Sequence, residues 1–143
     1  MFDFKLQSVL NYRKLSEDKL MAEFADTKRR LYHEKETLGK LRIERVDLIS
    51  RLKKMGEQKM RAWNASSYLS YINRIRDKEN RQEEIFCKVE KELEAKRVEL
   101  IGASRKRKII EIIKEKKLKE YKQSLIIMEQ KTMDEAGILR VRN

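Results

Sequence analysis

The 143-residue sequence predicts an all-α fold, a long antiparallel two-helix coiled-coil hairpin, on three observations. Apolar residues recur at alternating steps of three and four over most of the chain, the period that keeps one helical stripe against a partner helix. The chain has no proline and four glycines, so it carries little turn chemistry for more than one or two reversals. Charged residues make up 42% and aromatic residues 7%, a composition that suits long helices and disfavours a sheet.

Helix 1 is expected over about residues 4–62. Its seam runs Leu6, Leu10, Arg13, Glu17, Leu20, Phe24, Thr27, Leu31, Glu34, Leu38, Leu41, Arg45, Leu48, Leu52 and Met55. Ten of these fifteen positions are apolar, which marks an a/d stripe rather than the alternation of a strand. The turn is expected near 63–67, within Trp63-Asn64-Ala65-Ser66-Ser67, the least charged stretch of the chain. Asn64 or a serine there could cap the next helix by accepting from its free amides. Trp63, Tyr68 and Tyr71 then cluster near the tip, either as an apolar plug or as a partner-binding end.

Helix 2 is expected over about 68–135, followed by a frayed tail. Its seam reads Phe86, Val89, Leu93, Lys96, Leu100, Ala103, Arg107 and Ile110, and resumes after a phase shift at Leu118, Tyr121, Leu125 and Met128. Ile109, Ile110, Ile112 and Ile113 lie at the shift, as a stutter or as a broader apolar face. Folding at 63–67 pairs residue i with about 130 − i. That register sets Leu38 opposite Leu93, Glu34 near Lys96, Glu17 near Lys114, and Arg45 near Glu83 or Glu84. The competing arrangement is a dimer of extended chains; a monomeric hairpin with both termini at one end is preferred.

Charge is unevenly distributed. From Lys96 to Lys122 there are eleven Lys/Arg and four Glu, whereas Asp77–Ala95 is net negative. Arg105, Lys106, Arg107 and Lys108 form one centre of this block. It reads as a solvated face or as a docking surface for an acidic protein. A non-specific nucleic-acid-binding coiled coil is the alternative, but aromatic stacking platforms are not interleaved with the basic residues. His33 lacks a second ligand at metal spacing, and Cys87 is expected as a small buried group beside the seam. A phosphate-cradling glycine loop is missing. A non-enzyme without cofactor, metal or small-molecule substrate is therefore expected. The start of the chain does not resemble a secretory signal, and a soluble cytoplasmic protein is expected.

Two terminal signatures add a resemblance. Phe2-Asp3-Phe4-Lys5-Leu6-Gln7-Ser8-Val9-Leu10-Asn11-Tyr12-Arg13 with Glu17, and Glu129-Gln130-Lys131-Thr132-Met133-Asp134-Glu135 near the other end, resemble the opening and closing motifs of the FliJ family. The resemblance covers nearly the whole chain. It implies a component of the bacterial flagellar type III export apparatus, similar in fold to the central stalk of rotary ATPases. The partners it implies are the hexameric flagellar export ATPase, an export gate membrane protein and export chaperones. Carried onto this chain, Phe4, Leu6, Leu10, Arg13, Gln130, Lys131, Asp134 and Glu135 mark the ATPase-facing end. The charge pattern taken together with the resemblance adds Arg105, Lys106, Arg107 and Lys108 as a basic surface for acidic pore loops. Tyr68, Tyr71 and Ile75 match the gate-binding tip. Location at the inner face of the membrane would then come only through the export complex. The equivalent stalk protein of a virulence secretion system shares these features.

Overall fold

The computed structural model describes residues 1–57 and 62–142. Two helices account for nearly all of them: α1, Gln7–Glu57, and α2, Ala62–Arg142. Among the described residues there is no strand. The chain divides into two compact units. Unit 1 joins Met1–Leu20 to the chain from Leu100 on, and unit 2 is Met21–Glu99. Within each unit, α1 and α2 pack antiparallel.

The heptad stripe of α1 is the face that packs. Leu10, Thr27, Leu38 and Leu48 are buried, and the remaining seam positions are half-buried except Leu6. On α2 the stripe from Phe86 to Ile110 is likewise buried or half-buried. Unit 2 has its apolar core at Leu48, Ile72 and Ile75, with Ile49, Leu52 and Tyr68 packed against it. Removing several such side chains from water is the main stabilising term, at roughly 25 cal/mol per Å² of apolar surface.

Polar side chains interrupt this seam and pair across it. Glu79, 8% exposed, accepts from Arg45 Nη2 at 3.4 Å, with its other carboxylate oxygen 2.8 Å from Arg45 Nε, and lies 3.5 Å from Arg42 Nε. Gln82 donates to the Glu34 carbonyl oxygen at 3.2 Å and also to its carboxylate. Lys96 Nζ meets Glu23 Oε2 at 2.9 Å. The Glu23 carboxylate holds the Lys96 ammonium pKa above its ordinary value, chiefly through that hydrogen bond. The exposed pairs Arg30–Glu92 and Arg42–Glu83 close at 2.9 and 2.8 Å, and pairs this open contribute little on their own.

Partner numbers in these contacts sum to about 120, as in Arg45–Glu79, Lys96–Glu23 and, in unit 1, Arg107–Glu17 and Lys114–Gln7. The register expected from sequence is therefore displaced by about ten residues. Glu34 meets Gln82 instead of Lys96, Glu17 meets Arg107 instead of Lys114, and Arg45 meets Glu79 instead of Glu83 or Glu84. The reason lies in the position of the reversal. Residues 63–67, expected as the turn, belong to α2, and α1 ends at Glu57 rather than at 62. The four residues between Glu57 and Ala62 lie outside the described residues, as does the side chain of Trp63. Asn and Ser cost a helix only a few tenths of a kcal/mol each, and Tyr68 on the Leu48 cluster gives this turn of α2 a packed face.

The far end of α2 also differs from expectation, since helix continues to Arg142 in place of a frayed tail after 135. Beyond Ile110 the inward positions are Lys114, Leu118 and Tyr121, two successive steps of four that fit a stutter. Ile110 and Ile113 are half-buried, whereas Ile109 and Ile112 are 57% and 63% exposed. Leu125 and Met128 were expected on the seam but are exposed. With a register near 120, no residue of α1 remains to meet them. Cys87 is exposed as well: Phe86 takes the inward position, and one residue further lies about 100° round the helix.

The register can be tested by cross-linking in a Cys87→Ser background. Glu23→Cys with Lys96→Cys is expected to form a disulfide under mild oxidation, and Glu34→Cys with Lys96→Cys is expected to form none, as read by gel mobility.

Candidate functional site

The residues expected to act separate into a terminal end in unit 1 and a tip in unit 2. At the terminal end, the first residues fold back before α1 begins, with Gln7 N donating to Phe4 O at 3.0 Å and Leu10 N to Leu6 O at 2.9 Å. This tucks Phe4 to 8% exposure and Leu10 to 1%, while Leu6 stays 38% exposed. The Phe2 and Tyr121 rings approach to 5.5 Å between centroids, tilted by 44°, an offset geometry that aromatic pairs favour. Lys114 Nζ lies 5.9 Å from the Phe4 ring centroid and donates to Gln7 Oε1 at 2.7 Å. Phe2, Leu6, Ile113 and Tyr121 line a pocket here of about 660 Å³, with Lys117 beside it. Phe4 and Leu10 are thus positioned as packing residues that shape the end of the helix pair. Arg13 is half-buried, with its guanidinium carbon 5.7 Å from the centroid of the Tyr12 ring.

The basic quartet does not act as one patch. Arg107 points inward, bonded to the carboxylates of Glu17 and, at 2.7 Å, Glu111. Those two partners, Glu17 foremost, raise its pKa further above an already basic value. Arg105, Lys106 and Lys108 are exposed, and none has a carboxylate partner among the described residues. A charge meant for an external partner can therefore come from three of the four residues, while Arg107 keeps the seam position expected for it and drops out of the outward patch.

Gln130, Lys131, Asp134 and Glu135 are exposed on α2, beyond its contact with α1. They are not brought together with Phe4, Leu6, Leu10 and Arg13. At about 1.5 Å per residue, Gln130 stands some way past Tyr121, the residue that meets Phe2. From Lys122 to Arg142 every residue is exposed. This single helix carries Leu125, Ile126, Ile127, Met128, Met133, Ile138, Leu139 and Val141, between 42% and 88% exposed. Four consecutive apolar residues, 125–128, at about 100° per residue point to all sides of the helix. Sequence reading placed Leu125 and Met128 on a seam because their spacing is right; the missing signal was how far α1 reaches.

At the tip, Ile75 is 2% exposed and belongs to the core of unit 2, so its side chain is unavailable to a gate partner in this fold. Tyr68 packs on the same core. Tyr71 is 43% exposed and donates its hydroxyl to Glu44 Oε1 at 2.9 Å. Accepting that hydrogen bond, the Glu44 carboxylate raises the phenol's pKa above 10.0. Among the described residues no cluster of His, Cys, Asp and Glu could hold a metal ion, and no helix is long and apolar enough to cross a membrane.

A family model described as Flagellar FliJ protein matches residues 2–143. The chain belongs to the FliJ family. No curated protein and no solved structure gives a match. Membership makes the chain a component of the flagellar export apparatus, and the family is a non-enzymatic one.

The Tyr71–Glu44 contact gives a pH prediction. A phenol pKa raised in the fold stabilises the folded chain below the ordinary value of 10.0 and loses that contribution as pH climbs through the raised value. Ring resonances of labelled tyrosine should show Tyr71 ionising above 10.0, and Glu44→Gln should lower its midpoint; a midpoint that the substitution leaves unchanged would contradict the contact.

Proposed function

We propose that this FliJ-family chain docks the terminal end of unit 1 into the ring of the hexameric flagellar export ATPase and promotes ring assembly or activity. The observation that carries this reading is the single helix from Lys122 to Arg142, exposed throughout, with apolar side chains pointing to every side between its charged ones. A helix that pairs with one neighbour needs one apolar stripe, whereas a helix apolar all round suits enclosure. The centre of a ring supplies such enclosure. Gln130, Lys131, Asp134 and Glu135 interleave with the apolar positions and would meet the polar groups of the ring wall.

Arg105, Lys106 and Lys108 then face acidic loops of the ring, and Phe4, Leu6, Leu10 and Arg13 support the docking end. A helix pair held off-centre in a six-fold ring would meet the subunits unequally. Hydrolysis proceeding round the ring would then be coupled to the export gate, with Tyr71 and the rim of Tyr68 in unit 2 forming the gate contact. Ile75 contributes there by holding the tip rigid. Export chaperones are the further partners of this reading, and the inner face of the membrane at the flagellar base is its location.

The test is hydrolysis by the purified export ATPase with and without the chain. Addition of the chain should raise the rate. Ile126→Ser with Ile127→Ser and Met128→Ser should weaken half-saturation on the order of 100-fold, from lost apolar burial. Its melting temperature should stay that of the parent, since these side chains touch nothing in the free chain. Parental stimulation by the variant, or none by the parent, would sink the docking end.

A further inference from the structure

A second surface of unit 1 overlaps the ring-docking residues only in part. It is the face of α2 turned away from α1 between Ile101 and Ile126. With Ile112 as the reference and about 100° per residue, Ile101, Arg105, Lys108, Ile109, Lys116, Lys119 and Ile126 all fall within about 60° of its direction. Every one of these side chains is exposed. Ile109, Ile112 and Ile126 are 57%, 63% and 55% exposed. Arg105, Lys108, Lys116 and Lys119 have no carboxylate partner among the described residues, and Glu115 lies at the edge of the face. The result is a row of isoleucines and unpaired cations alternating along one helix surface.

We infer that this face binds directly to the surface of a bilayer rich in anionic lipids. The chemistry separates this occupant from a third helix. Arg105 and Lys119 lie almost on the centre line, seven residues either side of Ile112. A packed helix would bury both charges away from water, and such desolvation offsets most of what pairing returns. A layer of lipid headgroups leaves the ammonium and guanidinium groups hydrated beside phosphate, and lets the isoleucines enter the acyl boundary. Long lysine stems reach outward past the apolar side chains to do so. Basic faces of this kind gain roughly a factor of five in partitioning for each cation near an anionic surface, and the apolar contacts add to it. The depression beside Ile112, about 480 Å³ and walled by Lys116, Lys119 and Lys122, puts three cations round one apolar side chain, which suits headgroup phosphates above an inserted isoleucine. Arg105, Lys108 and Ile126 also belong to the ring-docking set, so ring and bilayer would compete for the chain.

The experiment uses the full chain and vesicles, with no ATPase present, so it stands or falls apart from the ring reading. Vesicles of phosphatidylglycerol and phosphatidylcholine in equal parts should co-sediment the chain, and vesicles of phosphatidylcholine alone should not. Lys116→Gln with Lys119→Gln should lower partitioning about 30-fold, at that factor of five per cation. Ile109→Ser with Ile112→Ser should lower it roughly ten-fold through lost apolar contact. The exposed, unpaired lysines of α1 supply the control: Lys28→Gln with Lys35→Gln changes net charge equally and should alter binding far less. A Trp63→Phe chain carrying Ile112→Trp should show a blue-shifted emission with anionic vesicles only. Equal losses from the α1 control and the α2 pair would reduce the effect to net charge and overturn the site. Vesicle indifference, or binding of polyaspartate or duplex DNA with the same dependence on Ile109 and Ile112, would overturn it too.

Discussion

The pairing register between α1 and α2 is the constraint on which the other features depend. A two-helix seam made only of leucines could slide by a heptad and keep its stripes in contact. Here Glu79 sits between Arg42 and Arg45, Gln82 is bonded to Glu34, Lys96 to Glu23, and Arg107 to Glu17. A slipped pairing would break all of these contacts together, and although Lys96 could meet Glu34 instead, the others would not all find new partners. Such layers add little net stability, because desolvation offsets attraction. Their effect is to make one register better than its neighbours.

The consequences follow along the chain. With partner numbers summing to about 120, Phe2 falls beside Tyr121, and α1 has no residue left for the rest of α2. The helix from Lys122 to Arg142 is therefore left single. The same register fixes which side of α2 is turned outward, leaving Ile109 and Ile112 exposed and drawing Arg107 inward. Unit 1 thereby carries two exposed apolar surfaces of different kinds. One is a helix with apolar side chains on every side, and the other is a one-sided row interleaved with cations. Enclosure suits the first and a flat charged surface suits the second.

Much of the fold was legible because a coiled coil writes its packing into a simple period. The α1 stripe from Leu10 to Met55 and the α2 stripe from Phe86 to Ile110 are the packed faces, and the FliJ resemblance rested on motifs at both ends. The reversal was harder to read. Asn64, Ser66 and Ser67 are common turn residues, yet they also sit in helices at small cost, and their packing neighbours are distant in sequence. An error of five residues in the turn became one of ten in the register. Charge matching could not correct it, since glutamates and basic residues are frequent enough for Lys96 to find a carboxylate in either pairing. Three side chains were misplaced for a related reason. Leu125 and Met128 keep seam spacing where the partner helix has already ended, and Ile75, matched to the tip by resemblance, has its side chain in the core of unit 2.

Hydrogen exchange along α2 distinguishes its paired length from its single one. A single helix without a packed face opens readily, whereas paired helix exchanges through larger openings. In the free chain, amides from Phe86 to Tyr121 should be protected, and those from Lys122 to Arg142 should exchange much faster. Addition of the export ATPase should slow the second set. Uniform protection of α2 in the free chain, or rapid exchange of Lys122–Arg142 that the ATPase leaves unchanged, would contradict the account.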